Sequence, residues 1–180
     1  MQGRTWEEIM EEDIALKEMF TQAMSAFIGN DYKKCVGLLT EVISRDEGNR
    51  LALTTRGAAF FKLGNNESAL SDLNKAVAVD DSHARAFHLR GLVREKLGDD
   101  QGALKDFDRA IRLDPEYAAA YYSRATQNTK LGRMEEAQSD AGMFTHLTHV
   151  NLESFANENN IWHSRHLQVE ENLLESELNR

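Results

Sequence analysis

The residues of this chain that are best suited to chemistry are its single cysteine and its six histidines. His146 and His149 stand three residues apart, as do His163 and His166, so each pair would share one face of a helix. Two such pairs could in principle hold a transition metal, but no cysteine or carboxylate is evidently arranged with them. We therefore expect ordinary polar residues, no metal site and no cofactor.

Cys35 occupies a place that three similar segments of the chain fill with alanine, namely Ala69, Ala103 and Ala137. A catalytic thiol needs a basic partner and exposure, and this position suggests neither. The sequence also contains no glycine-rich phosphate loop, no Gly-x-Ser-x-Gly and no His-Glu-x-x-His. We expect no catalytic residue, and a protein that is not an enzyme.

The composition narrows the class of protein further. The chain has 180 residues, 21 of them basic and 30 acidic, for a net charge of −9. This balance argues against nucleic-acid binding and against adhesion to an anionic membrane. No targeting segment and no long apolar run is evident, so we expect a cytoplasmic protein without direct membrane insertion. One proline and 11 glycines favour long helices over a β-fold.

The elements that would position any site repeat every 34 residues. The pairs Leu63-Gly64, Leu97-Gly98 and Leu131-Gly132 keep this interval, and Arg56, Arg90, Arg124 and Asp72, Asp106, Asp140 keep it too. Internal repeats of this length predict a stacked array. We expect a degenerate repeat 16–49, repeats 50–83 and 84–117, and a degenerate repeat 118–151, between an acidic extension 1–15 and a C-terminal segment 152–180.

The pattern predicts two helices in each 34-residue repeat. In the third unit, apolar and small residues recur at helical spacing until Gly98, a residue that suits the end of a helix. Asp99 and Asp100 suit the start of the second helix, and Pro115 starts the next unit. The sequence therefore predicts an all-α fold.

This pattern of a large apolar residue, Gly or Ala, Leu-Gly, Ala and Asp-Pro resembles the tetratricopeptide repeat (TPR). The resemblance implies a right-handed α-solenoid of about four helix-turn-helix repeats with a C-terminal capping helix. It also implies a non-enzymatic protein–protein interaction module whose first helices line a concave groove. Arg94 and Asn128 depart from the pattern, because they stand where the family usually has an aromatic or apolar residue, as Phe60 is here.

The stripe of each first helix that faces away from the core would line this groove. It is more apolar than a solvated face, and its five basic residues against Glu95 sum to +4, which suits a peptide or amphipathic helix that carries acidic residues. For the lysines, simple solvation is the alternative. The expected groove residues are Lys17, Phe20, Met24, Phe27, Leu51, Thr54, Phe61, Lys62, Arg85, His88, Leu92, Lys96, Tyr122 and Lys130.

One ligand class can be tested against the residues that the resemblance assigns. Family members that clamp the C-terminal carboxylate of cytosolic chaperones use Lys and Asn in one first helix, Asn in the next, and Lys with Arg in the third. The corresponding residues here are Phe20, Met24, Thr55, Arg85 and Leu89, of which only Arg85 has the right chemistry. We do not expect a chaperone-tail adaptor.

The recurring arginine and aspartate stand 16 residues apart in each of three units, as in Arg56 and Asp72, whereas the first unit has Gln22 and Leu38. We predict an Arg–Asp pair between the two helices of a unit or between neighbouring units, with solvated charges as the alternative.

The flanks carry most of the negative charge: 1–15 and 152–180 together have three basic and eleven acidic residues. Thr5 and Glu8 form a capping-box pattern that starts the first helix near Trp6, and this helix runs to about Ile28. We expect 155–169 to cap the array, while 170–180 continues that helix, dimerises or folds over the groove. The alternative function is therefore a self-associating scaffold, in which a terminal acidic segment occupies the groove of the same or a neighbouring copy.

Overall fold

The computed structural model describes residues 5–158, and this part of the chain is an array of eight α-helices without a strand. All eight belong to consecutive helical hairpins, as an all-α repeat solenoid requires. Helix α1 has the predicted ends, and it is ten residues longer than α3, α5 and α7, which have 13 each. The helices are α1 (Trp6–Ile28), α2 (Tyr32–Arg45), α3 (Arg50–Lys62), α4 (Asn66–Val79), α5 (Ala84–Lys96), α6 (Asp100–Leu113), α7 (Ala118–Lys130) and α8 (Met134–Glu158).

Local sequence sets the helix boundaries in the same way in each hairpin. The glycines of the three Leu-Gly pairs adopt positive φ angles of 75° to 83°, a conformation that costs glycine no Cβ clash. In the first hairpin Asn30 takes this place, with φ 62°. In the first three hairpins the second helix then begins at a side-chain cap: Asp99, for example, accepts a hydrogen bond from the backbone N–H of Gly102. The predicted register is therefore that of the structure.

The array is held together by contacts between neighbours. Each helix packs against the next one in sequence, and the first helices α1, α3, α5 and α7 also contact one another in that order. Small residues allow close approach within a hairpin: a Cβ at Gly91 would lie 2.5 Å from the Cε1 atom of Phe107. The apolar core runs through the stack, with Leu39, Leu53 and Phe107 fully buried.

The predicted Arg–Asp pairs are confirmed. Arg56 donates from Nε and one terminal nitrogen to both carboxylate oxygens of Asp72, at 2.7 and 2.8 Å. Arg90 and Asp106 repeat this geometry, as do Arg124 and Asp140.

The Arg–Asp pairs lie within the hairpins, and the same arginines also link neighbouring hairpins through other residues. The other terminal nitrogen of each arginine reaches the residue 16 positions earlier, on the second helix of the preceding hairpin. That residue is Thr40, Asn74 or Asp108. Each arginine therefore ties two second helices together through one first helix.

The last helix differs from the expected domain boundary. The boundary at 151/152 falls inside α8, which continues unbroken to Glu158. In the second and third hairpins, Asp80 and Asp114 end the second helix by accepting hydrogen bonds from backbone N–H groups two residues later. Thr148 stands at that place in the fourth hairpin, and proline is replaced by His149, so nothing stops the helix there. Most of the expected capping segment 155–169, and all of 170–180, lies outside the described residues.

Candidate peptide-binding groove

A pocket of about 170 Å³ lies between α1, α3 and α5, which are the first helices of three successive hairpins. The second half of α1 contributes Phe20, Met24 and Phe27 to its wall. The third and fifth helices, with the residue before α5, contribute the remaining lining residues, which are Leu51, Thr54, Thr55, Ala58, His83, Arg85 and Leu89. The fold therefore brings together residues from three successive repeats, as a shared groove requires.

A shallower extension of about 410 Å³ adjoins this pocket toward the start of α1. Phe20 and Leu51 line both spaces, and Lys17 and Asp13 stand at the outer edge of the extension. The two spaces together form a groove with an apolar floor and charged rims. We refer to it below as the α1–α5 groove.

The five residues that align with the carboxylate-clamp positions all line this one pocket: Phe20, Met24, Thr55, Arg85 and Leu89. Three of them are large and apolar, so the wall that would hold a carboxylate is here suited to an apolar side chain. Only the Arg85 guanidinium offers a fixed cation, since arginine stays charged at any physiological pH.

The predicted groove lysines differ in their pairing. Lys130 forms an ion pair with Asp100, with Nζ 2.6 Å from the carboxylate oxygen. At the equivalent places, Lys62 and Lys96 are exposed and make no ion pair within residues 5–158. The positive charge that a ligand would meet is therefore concentrated on the first three repeats.

Two predicted groove residues are almost fully buried, although Thr54 lines the pocket. Thr54 is only 4% exposed, and its hydroxyl donates to the carbonyl oxygen of Arg50. His88 is 7% exposed and lies between α5 and α7, where its ring nitrogens contact the Tyr117 and Ser123 hydroxyls at 3.0 and 2.9 Å. His88 therefore joins the third repeat to the fourth, and little of its surface is available to a ligand.

The remaining predicted residues lie away from the pocket. Phe61 is half-buried against the small apolar cluster of Ala69, Leu73 and Val93, and Leu92 is half-buried as well. Tyr122 is exposed and stacks with Phe144, 5.3 Å between ring centroids, in a separate space between α7 and α8. The predicted groove is thus one site on α1–α5 and a second apolar surface at the end of the array.

Thr55, Leu89 and His83 line the pocket but were not among the predicted groove residues. Thr55 and Leu89 share the sixth position of their repeats, one residue after the position included in the predicted stripe. His83 is the last residue of its repeat, and its Nδ1 is buried without a hydrogen-bond partner within the described part of the chain. Burial and the nearby Arg50 lower the pKa of His83. A wider stripe on the helical wheel would have included the first two residues.

The groups considered for chemistry lie apart from this groove. Cys35 is buried, and burial together with the charge of Asp31 raises the pKa of its thiol, which disfavours the thiolate. Over residues 5–158 no three His, Cys, Asp or Glu side chains lie close enough to hold a metal ion. His163 and His166 fall outside that range. None of the described helices is long and apolar enough to cross a membrane.

Comparison with known proteins agrees with the repeat pattern. A tetratricopeptide repeat family model matches residues 54–118 and 88–141. The chain is a tetratricopeptide repeat protein. A search of curated proteins found no match.

Solved structures support this TPR fold. The crystal structure of MamA is 18% identical, with a TM-score of 0.71 over 82% of this chain and 86% of that chain. The Arabidopsis OM64 TPR domain is 28% identical, with a TM-score of 0.63 over 64% and 96%. The first TPR of Spaghetti (RPAP3), bound to the HSP90 peptide SRMEEVD, is 26% identical, with a TM-score of 0.63 over 65% and 93%.

Proposed function

We propose that this TPR protein is a protein–protein interaction module that holds a segment of a partner in the α1–α5 groove. The observation that carries the proposal is the pocket itself, with an apolar floor from three repeats and Arg85 on its rim. Arg85 is exposed and makes no ion pair within residues 5–158. The RPAP3 domain, which shares this fold, was determined with a bound peptide. A groove of this kind is suited to binding rather than to catalysis.

The ligand that fits is a segment with one large apolar side chain and acidic neighbours. The pocket volume of about 170 Å³ is sufficient for one large apolar side chain such as leucine, methionine or phenylalanine. Burying such a side chain contributes about 1.5–3 kcal/mol. The exposed Arg85 gives the pocket a positive charge, which favours an acidic neighbour of the buried side chain and speeds association, whereas the extension is lined by Asp13 and Asp46 as well as Lys17.

Selection from a displayed library of random peptides tests the proposal with an unidentified partner. The selected peptides should carry an apolar residue next to Asp or Glu. Their affinity is then measured by calorimetry for the wild type and for a groove variant, Leu51→Asp with Arg85→Glu. Both residues are exposed, so these substitutions leave the core intact. We expect the groove variant to bind at least about tenfold more weakly, a loss of about 1.4 kcal/mol.

A matched control carries the same two substitutions on the outer helices: Val79→Asp with Arg112→Glu. Val79 is 51% exposed and Arg112 is exposed, so the change in net charge is identical and the change in composition is closely similar. This control should bind like the wild type. Equal affinity of the groove variant and the wild type for every selected peptide would exclude the α1–α5 groove as the binding site.

A further inference from the structure

The first helix carries an exposed apolar stripe that the TPR array does not use. Trp6, Met10 and Ile14 stand four residues apart on one face of α1, and they are 82%, 58% and 52% exposed. They belong to the part of α1 that extends beyond the length of the other first helices. An exposed apolar row of this kind marks an interaction surface.

The stripe lies on the same side of α1 as the groove. Trp6 and Met24 are 18 residues apart, which is about five full turns of an α-helix, so their side chains leave the helix in the same direction. Trp6 therefore lies on the same side of α1 as the pocket and apart from it along the axis, while Met10 and Ile14 follow about 40° and 80° around the helix.

The stripe also has the chemistry that the groove is suited to receive. Residues 1–15 contain five acidic residues and one arginine, and Asp13 lies beside the stripe at an exposed position. The facing cation would be Arg85, which lines the pocket and has no ion pair in the described part of the chain. The apolar side chains Trp6 and Met10 would meet an apolar pocket.

The stripe cannot enter the groove of its own molecule. Residues 6–28 form one helix without a break, so Trp6 is held about 21 Å along the axis from Phe20. The occupant must therefore come from another molecule. We infer that the Trp6–Ile14 stripe of one copy docks in the α1–α5 groove of a second copy, so that this TPR protein self-associates through α1.

This inference rests on the proposed function, because it gives the groove an occupant. Since every copy carries both surfaces, the contact closes into a dimer when it is reciprocal and propagates when it is not. In either case a copy whose groove is filled by a neighbour binds an external peptide more weakly, because the two occupants compete.

Sedimentation of the full chain over a wide range of concentration tests the inference. The wild type should form dimers or larger species as concentration rises. A stripe variant, Trp6→Gln with Met10→Gln, changes only exposed side chains and should shift the association constant down by at least about tenfold. The groove variant, Leu51→Asp with Arg85→Glu, should do the same, whereas Val79→Asp with Arg112→Glu should associate like the wild type.

Mixing the two defective variants gives the sharpest result. The stripe variant retains its groove and the groove variant retains its stripe, so an equimolar mixture should form heterodimers although each variant alone is monomeric. A wild type that stays monomeric at all concentrations, wild-type association of the stripe variant, or a mixture without heterodimers would overturn the inference.

The proposed function can be judged separately from this inference. The stripe variant should bind a library-selected peptide at least as tightly as the wild type, because its groove is intact and unoccupied. Peptide binding by a strictly monomeric wild type would remove the second-copy inference and leave the proposed function in place.

Discussion

Acidification should destabilise the array through His88, the histidine that joins the third and fourth repeats. Its two ring nitrogens contact the hydroxyls of Tyr117 and Ser123, and the ring is 7% exposed. Burial, helped by the nearby Arg85 cation, lowers the pKa of His88 from 6.5 to about 4. The folded protein therefore holds this imidazole neutral at a pH at which the unfolded chain would protonate it.

The pKa difference sets the size of the effect. Between pH 6.5 and pH 4 the unfolded state binds more protons than the folded state, so stability rises with pH through this window and is lost as the pH falls. Linkage gives a loss of about 2 kcal/mol at pH 5 and about 3 kcal/mol at pH 4, relative to pH 7.5. Set against a typical domain stability of about 5–15 kcal/mol, this loss is large enough to measure by denaturant unfolding.

Urea unfolding of the wild type and of His88→Gln at several pH values isolates this contribution. Glutamine retains hydrogen-bonding groups but does not titrate, so the difference in unfolding free energy between the two proteins should shrink as pH falls from 6.5 to 4. Carboxylates titrate in both proteins and cancel in the comparison. A difference that stays constant with pH, or an imidazole NMR signal of His88 that titrates near pH 6.5, would refute the reasoning.

Three further predictions concern packing and ligand choice. Arg56→Gln should destabilise the protein by about 3 kcal/mol because it leaves the nearly buried Asp72 carboxylate unpaired, and adding Asp72→Leu, the residue of the first repeat, should recover part of this loss in thermal unfolding. Gly91→Ala should cost about 1–3 kcal/mol by chemical denaturation because the new Cβ collides with Phe107. Gly142→Ala in α8 meets no atom within 4 Å and should stabilise by about 0.5–1 kcal/mol. The peptide SRMEEVD should bind equally well by calorimetry with a free or an amidated C-terminus, since the positions that would clamp its terminal carboxylate are largely apolar.

Each of these predictions has an opposite outcome that is equally clear. Additive effects of the Arg56 and Asp72 substitutions would mean that the pair is not coupled. Equal effects of alanine at the two glycines would mean that helix propensity, and not collision, decides stability. Tight binding of SRMEEVD that depends on its free carboxylate would show that Arg85 alone is a sufficient clamp.

The sequence predicts most of this fold because its signals are local and repeated. The Leu-Gly pair and the Arg–Asp pair each occur three times at the same 34-residue interval. The predicted repeat therefore does not depend on a single match that could be accidental. The ends of α1 could likewise be placed from Thr5 and the hydrophobic pattern. These features depend on a residue and its neighbours within a turn or a hairpin.

The site was predicted less well because its details depend on distant residues. The burial of His88 is set by Tyr117 and Ser123, 29 and 35 residues later, and a helical wheel of α5 alone cannot show it. The neutralisation of Lys130 depends on Asp100 in the preceding repeat. Helix α8 continues because Thr148 stands where an aspartate ends the second helix in other hairpins. A helix-ending residue is easier to recognise in a sequence than the lack of one.

The ion pair between Lys130 and Asp100 makes the fourth repeat electrostatically different from the first three. The first three repeats present exposed cations beside an apolar floor, while the fourth has its lysine neutralised. An extended ligand with charge at one end therefore meets unequal surroundings in its two possible orientations. For a ligand that extends from the α1–α5 groove onto the fourth repeat, we expect the acidic end to lie over the first three repeats and the peptide of reversed sequence to bind more weakly.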